Sequence, residues 1–293
     1  MNFTQKSLLS LFLIFCFVVP SAVSAQSEVP EIIKDKKWNR WTSDNFEILS
    51  LSNLQGKYLK DNLNNVKKWV FTRWGLEDIS FDVPVRLWCI DDKVLFKTIY
   101  PSLEKSKVEV RRSEDGKIKS IEAFVLLNDL PSRVLPEPVT EICLNLYEEK
   151  YNVKFGLWAH KGITLLNGSE KQIRKVLQDL NPYLENKEEV FQATTLVETS
   201  KASYDQLSDK DKKLFDNECM VLCLFLRKEF GQDRMHLFLK AKDKKEAINT
   251  IYYYKSLKQF DDNFYIYMKD LTKDSIDGLT PSEYLLIRKA ELK

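Results

Sequence analysis

The side chains best suited to metal binding and proton transfer near neutral pH are scarce in this chain. Its 293 residues include only two histidines, His160 and His236, so a site built on several imidazoles is not available. Cysteine is the other candidate. Cys89, Cys143, Cys219 and Cys223 are scattered rather than spaced as a disulfide framework. Cys219 and Cys223 stand four apart on an expected helix, which places them side by side in a geometry poorly suited to a disulfide. A metal site begun by that pair would need a nearby histidine, and none lies close in sequence. Buried free thiols are therefore expected. His236, set among Met235, Leu237 and Phe238, reads as a packing or surface residue.

The elements that position these groups follow from periodicity. Phe46 to Leu51 alternates as a strand, introduced by the turn-like Thr42-Ser43-Asp44-Asn45. Leu59, Leu63, Val66 and Val70 mark one face of an amphipathic helix, with Gly75 as its stop. Val83 to Ile90 is a second strand, followed by a short helix over Lys93 to Tyr100. Val108 to Leu127 reads as a hairpin around Ser113-Glu114-Asp115-Gly116, where Asp-Gly is a strong turn signal. Pro131, Pro136 and Pro138 suggest a loop before a helix over Val139 to Tyr151, and Gly156 to Leu166 begins another. Helical periods dominate from Lys171, most clearly Phe215 to Phe230, capped by Gly231. The order gives an α+β fold: a small mixed sheet with a hairpin, then a mainly helical C-terminal half.

Several segments in this order resemble the peptidase MA-like zincins of the gluzincin type. These place a small mixed sheet before a helix bearing H-E-x-x-H, then a second helix opening with a W-L-x-E-G-like motif. The first motif aligns with Thr140-Glu141-Ile142-Cys143-Leu144 and the second with Trp158-Ala159-His160-Lys161-Gly162. Looser matches are the opening WNRWTSDNFEIL, the helix ending near Trp74-Gly75, the strand VPVRLWCI leading to LFKTIYP, and the late helix FDNECMVLCLFLRKEFGQDRMHLFL. The resemblance implies a zincin-like α/β subdomain over residues 26–168 and a helical subdomain over 169–293.

The departures decide the chemistry that the resemblance implies. Two histidines at i and i+4 and a carboxylate from the next helix would hold zinc in such a site. Those places hold Thr140, Leu144 and Lys161, so no metal or other cofactor is expected. Glu141 keeps the general-base position, but without a metal it has no activated water to deprotonate. These four positions read as a vestigial site with no catalytic residue expected. An ammonium at Lys161 near Glu141 would replace the metal's charge and tie the two helices together; alternatively the pair orients a polar group of a ligand. A Cys143–His160 nucleophile–base dyad is disfavoured, because Cys143 lies on a different face from the Thr140/Leu144 stripe.

Met1 to Ala25 has the parts of a secretory signal peptide: Lys6, the apolar run Leu8 to Val19, Pro20, and Val23-Ser24-Ala25 before an expected cleavage. The run is shorter than the roughly 20 residues a membrane span needs. Export to a periplasm or the medium is expected, with no stable membrane insertion after cleavage. Lys+Arg 45 against Asp+Glu 43 gives no reason to expect nucleic acid. An exported, catalytically inactive peptidase-like protein (a pseudoenzyme) that binds an unidentified protein or peptide is the first expectation. A hydrolase using Glu141 with a second carboxylate, or an exported α+β domain unrelated to zincins, are the alternatives. Tyr252 to Tyr254, Phe264, Tyr265 and Tyr267 read as core and rim, and Lys242 to Lys245 and Ser208 to Lys213 as solvated helix ends. Asn167-Gly168-Ser169 is a glycosylation sequon.

Overall fold

Strands that alternate between two apolar faces must be covered on both sides, and here they are. In Val85–Ile90, Val85, Leu87 and Cys89 enter one core, while Trp88 and Ile90 enter another on the opposite face of the sheet. The computed structural model describes residues 30–43, 46–76, 82–101, 103, 106–127, 134–168 and 170–273. The expected leader up to Ala25 and the expected loop residue Pro131 lie outside these residues.

The fold is α+β, with a mixed five-stranded sheet and a mostly helical C-terminal half. The strands are β1 (Asn39–Ser43), β2 (Phe46–Ser50), β3 (Val85–Ile90), β4 (Ser106–Arg112) and β5 (Ile118–Leu126), in the order β1-β2-β3-β5-β4. β2, β3 and β5 run parallel, and the two edge strands are antiparallel to their neighbours. Helices α1 (Glu31–Lys34), α2 (Asn53–Arg73), α3 (Lys93–Ile99), α4 (Pro136–Tyr151) and α5 (Leu157–Leu166) belong to this half. Then come α6 (Glu170–Leu180), α7 (Ala193–Glu198), α8 (Lys201–Asp205), α9 (Asp209–Lys240), α10 (Lys244–Ile251) and α11 (Leu257–Lys273).

The smaller core, under Leu49, Trp88 and Phe124, is closed by Ile33 of α1 and Leu95 and Phe96 of α3. The larger core starts on the other face, where α2 buries Leu59, Leu63, Val66 and Val70, and continues through α4 and α5 to Phe264 and Met268 of α11. Gly75, at φ 64°, follows the end of α2 as the sequence indicates. The β4–β5 hairpin turns at Gly116, also at positive φ, with Ser113 and Lys117 closing it. Among the described residues, no helix is long and apolar enough to cross a membrane.

Several local expectations need correction. Thr42 and Ser43 are not a turn but the end of β1, paired against Glu47 and Phe46. Pro136 and Pro138 do not lie in a loop. They occupy the first turn of α4, where the missing N–H groups cost no helical hydrogen bond. α9 begins before Phe215, and it joins two helices across a kink at Gly231 (φ 81°), where the first ends as the sequence indicates. Lys244 is no solvated helix end: its Nζ donates to the carbonyls of Phe238, Leu239 and Ala241 at 2.8, 2.9 and 2.6 Å. Burial pushes that ammonium down to about 8. The aromatic run, in contrast, divides into core and rim as expected, with Tyr252 and Phe264 buried and Tyr253 exposed.

Candidate functional site

The site is built on the antiparallel edge of the sheet and the helix that follows it. β5 holds one side of β4; among the described residues nothing pairs with the other. Val108 and Val110 of β4 pack on the core that α4 shares, and Arg112 reaches Glu149 of α4 at 3.3 Å. α4 ends at Asn152, whose left-handed conformation lets its N–H cap the carbonyls of Glu148 and Glu149. Gly156, at φ 89°, then starts α5.

α5 lies unusually close to α9. A Cβ on Gly162 would stand 2.2 Å from the Cys219 carbonyl oxygen and 2.5 Å from Cys223 Sγ, so only glycine permits this crossing. The four described cysteines are free and buried, as their scatter indicates. Burial pushes the Cys219 and Cys223 thiols well up, which keeps them protonated and unreactive.

The four positions singled out by the sequence separate into two environments. Thr140 and Leu144 are fully buried. The Thr140 hydroxyl donates to the Pro136 carbonyl and accepts from Asn167 Nδ2 at 2.7 Å. Asn167 Oδ1 in turn accepts from Trp74 Nε1 at 3.2 Å. This network ties α2, α4 and the end of α5 together inside the core. It also answers the sequon: the Asn167 amide is buried and bonded, so it is not presented for glycosylation in the folded chain.

Glu141 and Lys161 face the other environment. Lys161 Nζ donates to Asp216 Oδ2 at 3.0 Å and to the Tyr204 hydroxyl at 3.1 Å, and that hydroxyl donates to the same Asp216 oxygen at 3.1 Å. Burial opposes the charge on Lys161, but Asp216 and Tyr204 outweigh it and raise the ammonium's pKa. No hydrogen bond or ion pair joins Lys161 to Glu141; the helix tie expected between them runs to α8 and α9 instead. Burial raises the Glu141 carboxyl, against the pull of His160, Lys161 and Lys107. The charges acting on Glu141 thus come from basic side chains, and no second carboxylate is among them.

Glu148, seven residues on and on the same face of α4, is the better-held acid. It accepts from Phe155 N–H at 2.6 Å and lies 3.2 Å from His160 Nε2. Burial works to raise it, yet His160, that N–H and Arg112 together bring it below the ordinary carboxylate value. His160 is therefore directed at Glu148. His236 meets the Tyr147 hydroxyl at 3.1 Å, a packing role.

Sequence reasoning missed Glu148, Tyr204, Asp216 and the bonding of Asn167. Only Glu148 had a local signal, its place on the Glu137–Glu141 stripe. The Lys161–Asp216 pair spans 55 residues, which no short-range pattern encodes.

A zinc ion does not fit the donors present. Threonine, leucine and a lysine engaged with Asp216 stand where a zincin needs two imidazoles and a carboxylate. Among the described residues no group of three or more His, Cys, Asp or Glu is placed to hold a metal. What the arrangement offers among the described residues is an edge strand beside a half-buried carboxylate and fixed cations. No protein-family model matches the chain, and a search of the curated proteins finds no match.

Proposed function

We propose that this protein is an exported, zincin-like but non-catalytic module that binds extended peptide segments along β4. The observation that carries the reading is that β4, beside α4, is the last strand of the sheet among the described residues. An edge strand is a template for an added strand, and Glu141, Lys107 and the Lys161–Asp216–Tyr204 cluster lie along it. Main-chain hydrogen bonds would supply affinity, and the flanking charges would select among peptides.

The zincin resemblance gains support from the antiparallel edge strand followed by the Glu141 helix and then the Lys161 helix. The donor chemistry supports a non-catalytic role. Among the described residues no zinc-ligand set stands beside Glu141 and no carboxylate is among the charges acting on it, which supports a non-catalytic reading over a two-carboxylate hydrolase.

The test incubates purified protein with a mixture of N-acetylated octapeptides, with zinc measured by elemental analysis. Intact peptides retained by the protein, with no stoichiometric zinc, are expected. One zinc per chain whose removal abolishes peptide cleavage would overturn the proposal. Export is tested separately: the N-terminus of protein recovered outside the cytoplasm should be Gln26.

A further inference from the structure

Residues 184–198, between α6 and α8, hold little regular structure beyond the short α7, and side chains of other helices fasten them. α11 supplies most of the fastenings. The Tyr265 hydroxyl donates to the Leu184 carbonyl at 2.8 Å, Asp262 pairs with Lys187, and Asp261 accepts from the Thr194 N–H at 2.9 Å and from its hydroxyl at 3.0 Å. From α10, Lys245 reaches Glu198 at 2.7 Å. From α9, Glu218 Oε2 accepts from the Phe191 N–H at 2.9 Å.

Glu218 differs from the other carboxylates of this set. It is 0% exposed, and its second oxygen, Oε1, has no hydrogen-bond partner. Asp261, nearly as buried, has both oxygens bonded. The charges on the elements packed around Glu218 are engaged elsewhere. Lys161 of α5 holds Asp216, Asp179 of α6 holds Lys213, and Lys187 and Lys245 hold Asp262 and Glu198. Glu188 and Glu189 are exposed. Burial therefore pushes the Glu218 carboxyl well up, opposed only by the Phe191 N–H.

A buried carboxylate with a single donor is costly, whereas the neutral acid needs far less solvation and still accepts from Phe191. Ionisation therefore sets the Phe191 bond against a need for water at Oε1. The element able to give way is the fastened segment, because α9 is fixed around Glu218 by the buried Phe215, Cys219 and Leu222. We propose that residues 184–198 form a strap latched by the neutral Glu218 carboxyl, and that loss of its proton admits water and lifts the strap from α9. The strap leads directly into α8, whose Tyr204 bonds Lys161 and Asp216, so the latch is next in the chain to the cation cluster of the cleft. Once lifted, Glu218 is solvated and ionises near the ordinary 4.5; docked, it ionises well above that. Docking is thus strongest below 4.5 and weakens as pH rises, by about tenfold per pH unit, until the docked carboxyl ionises. The device does not depend on peptide binding at β4.

The test follows hydrogen exchange at the Phe191 and Thr194 amides between roughly pH 5 and 8, corrected for the intrinsic rate, in the parent chain and in Glu218→Gln. Glutamine keeps an acceptor for Phe191 and cannot ionise. In the parent, protection at both amides is expected to fall by about tenfold per pH unit while the β3 amides keep theirs. In Glu218→Gln it should stay level. Equal pH dependence in the two proteins overturns the proposal, as does protection that stays level in the parent. A second comparison needs only the parent and so survives a variant that does not fold. Protection at β3 that falls in parallel with Phe191 and Thr194 means that the whole chain opens rather than the strap, and overturns the proposal too.

Discussion

The two longitudinal stripes of α4 share one helix and differ in almost every physical respect. Thr140 and Leu144 point into the core, where the one polar group is fully bonded. Glu137, Glu141 and Glu148, displaced by roughly 60° about the helix axis at about 100° per residue, line the polar side with α5 and α6. The inner stripe determines whether the helix is held. The outer stripe determines what the cleft can do, and its members are not equivalent: Glu148 has donors on two sides, whereas Glu141 has distant charges only.

The comparison breaks most readily at the inner stripe. Leu144→Ala should cost about 2–5 kcal/mol in denaturant unfolding, because the emptied core volume relaxes only in part. Thr140→Val preserves shape but leaves Asn167 Nδ2 without its acceptor, and should cost about 1–3 kcal/mol. A small effect from either would place these side chains in the cleft rather than the core.

The outer stripe should respond more weakly and with opposite signs of pH dependence. Glu148 sits below the ordinary 4.5 in the fold, so its contribution is present above that value and is lost as pH falls through the folded one. Glu148→Gln should therefore lose about 1 kcal/mol near neutral pH, and the loss should vanish in acid. Glu141 sits above 4.5. Its contribution is full below that value and is lost as pH rises through the folded one. Glu141→Gln should match the parent in acid and gain less than about 1 kcal/mol near neutral pH. Stability curves of the two variants across this range check both signs; the same sign for both would contradict the pairing described here.

Much of the framework was legible because it is local. The apolar spacing of α2, the Asp-Gly hairpin and the buried scattered cysteines each follow from a few neighbouring residues. The Thr140-Glu141-x-x-Leu144 motif, by contrast, read with Lys161 as one vestigial site, and packing divides it: Thr140 and Leu144 are fully buried, Glu141 and Lys161 only partly. What the sequence did not disclose depends on distant partners. Trp74 and Asn167 are 93 residues apart, and Lys161 finds Asp216 rather than Glu141 because α9 crosses α5 tightly at Gly162. β1 escaped notice because its Asn39-Arg40-Trp41-Thr42-Ser43 sequence is polar, as suits an edge strand with largely exposed side chains. Asn167 read as a sequon for the same reason: only the packed structure shows that its amide is taken.

Amide hydrogen exchange, measured with and without an N-acetylated octapeptide that the protein retains, tests the proposed peptide site most directly. New protection is expected at the β4 amides that β5 leaves unpaired, between Ser106 and Arg112, with the rest of the sheet unchanged. Binding that leaves those amides exchanging as before would contradict strand addition at β4 and, with it, the functional reading of the cleft.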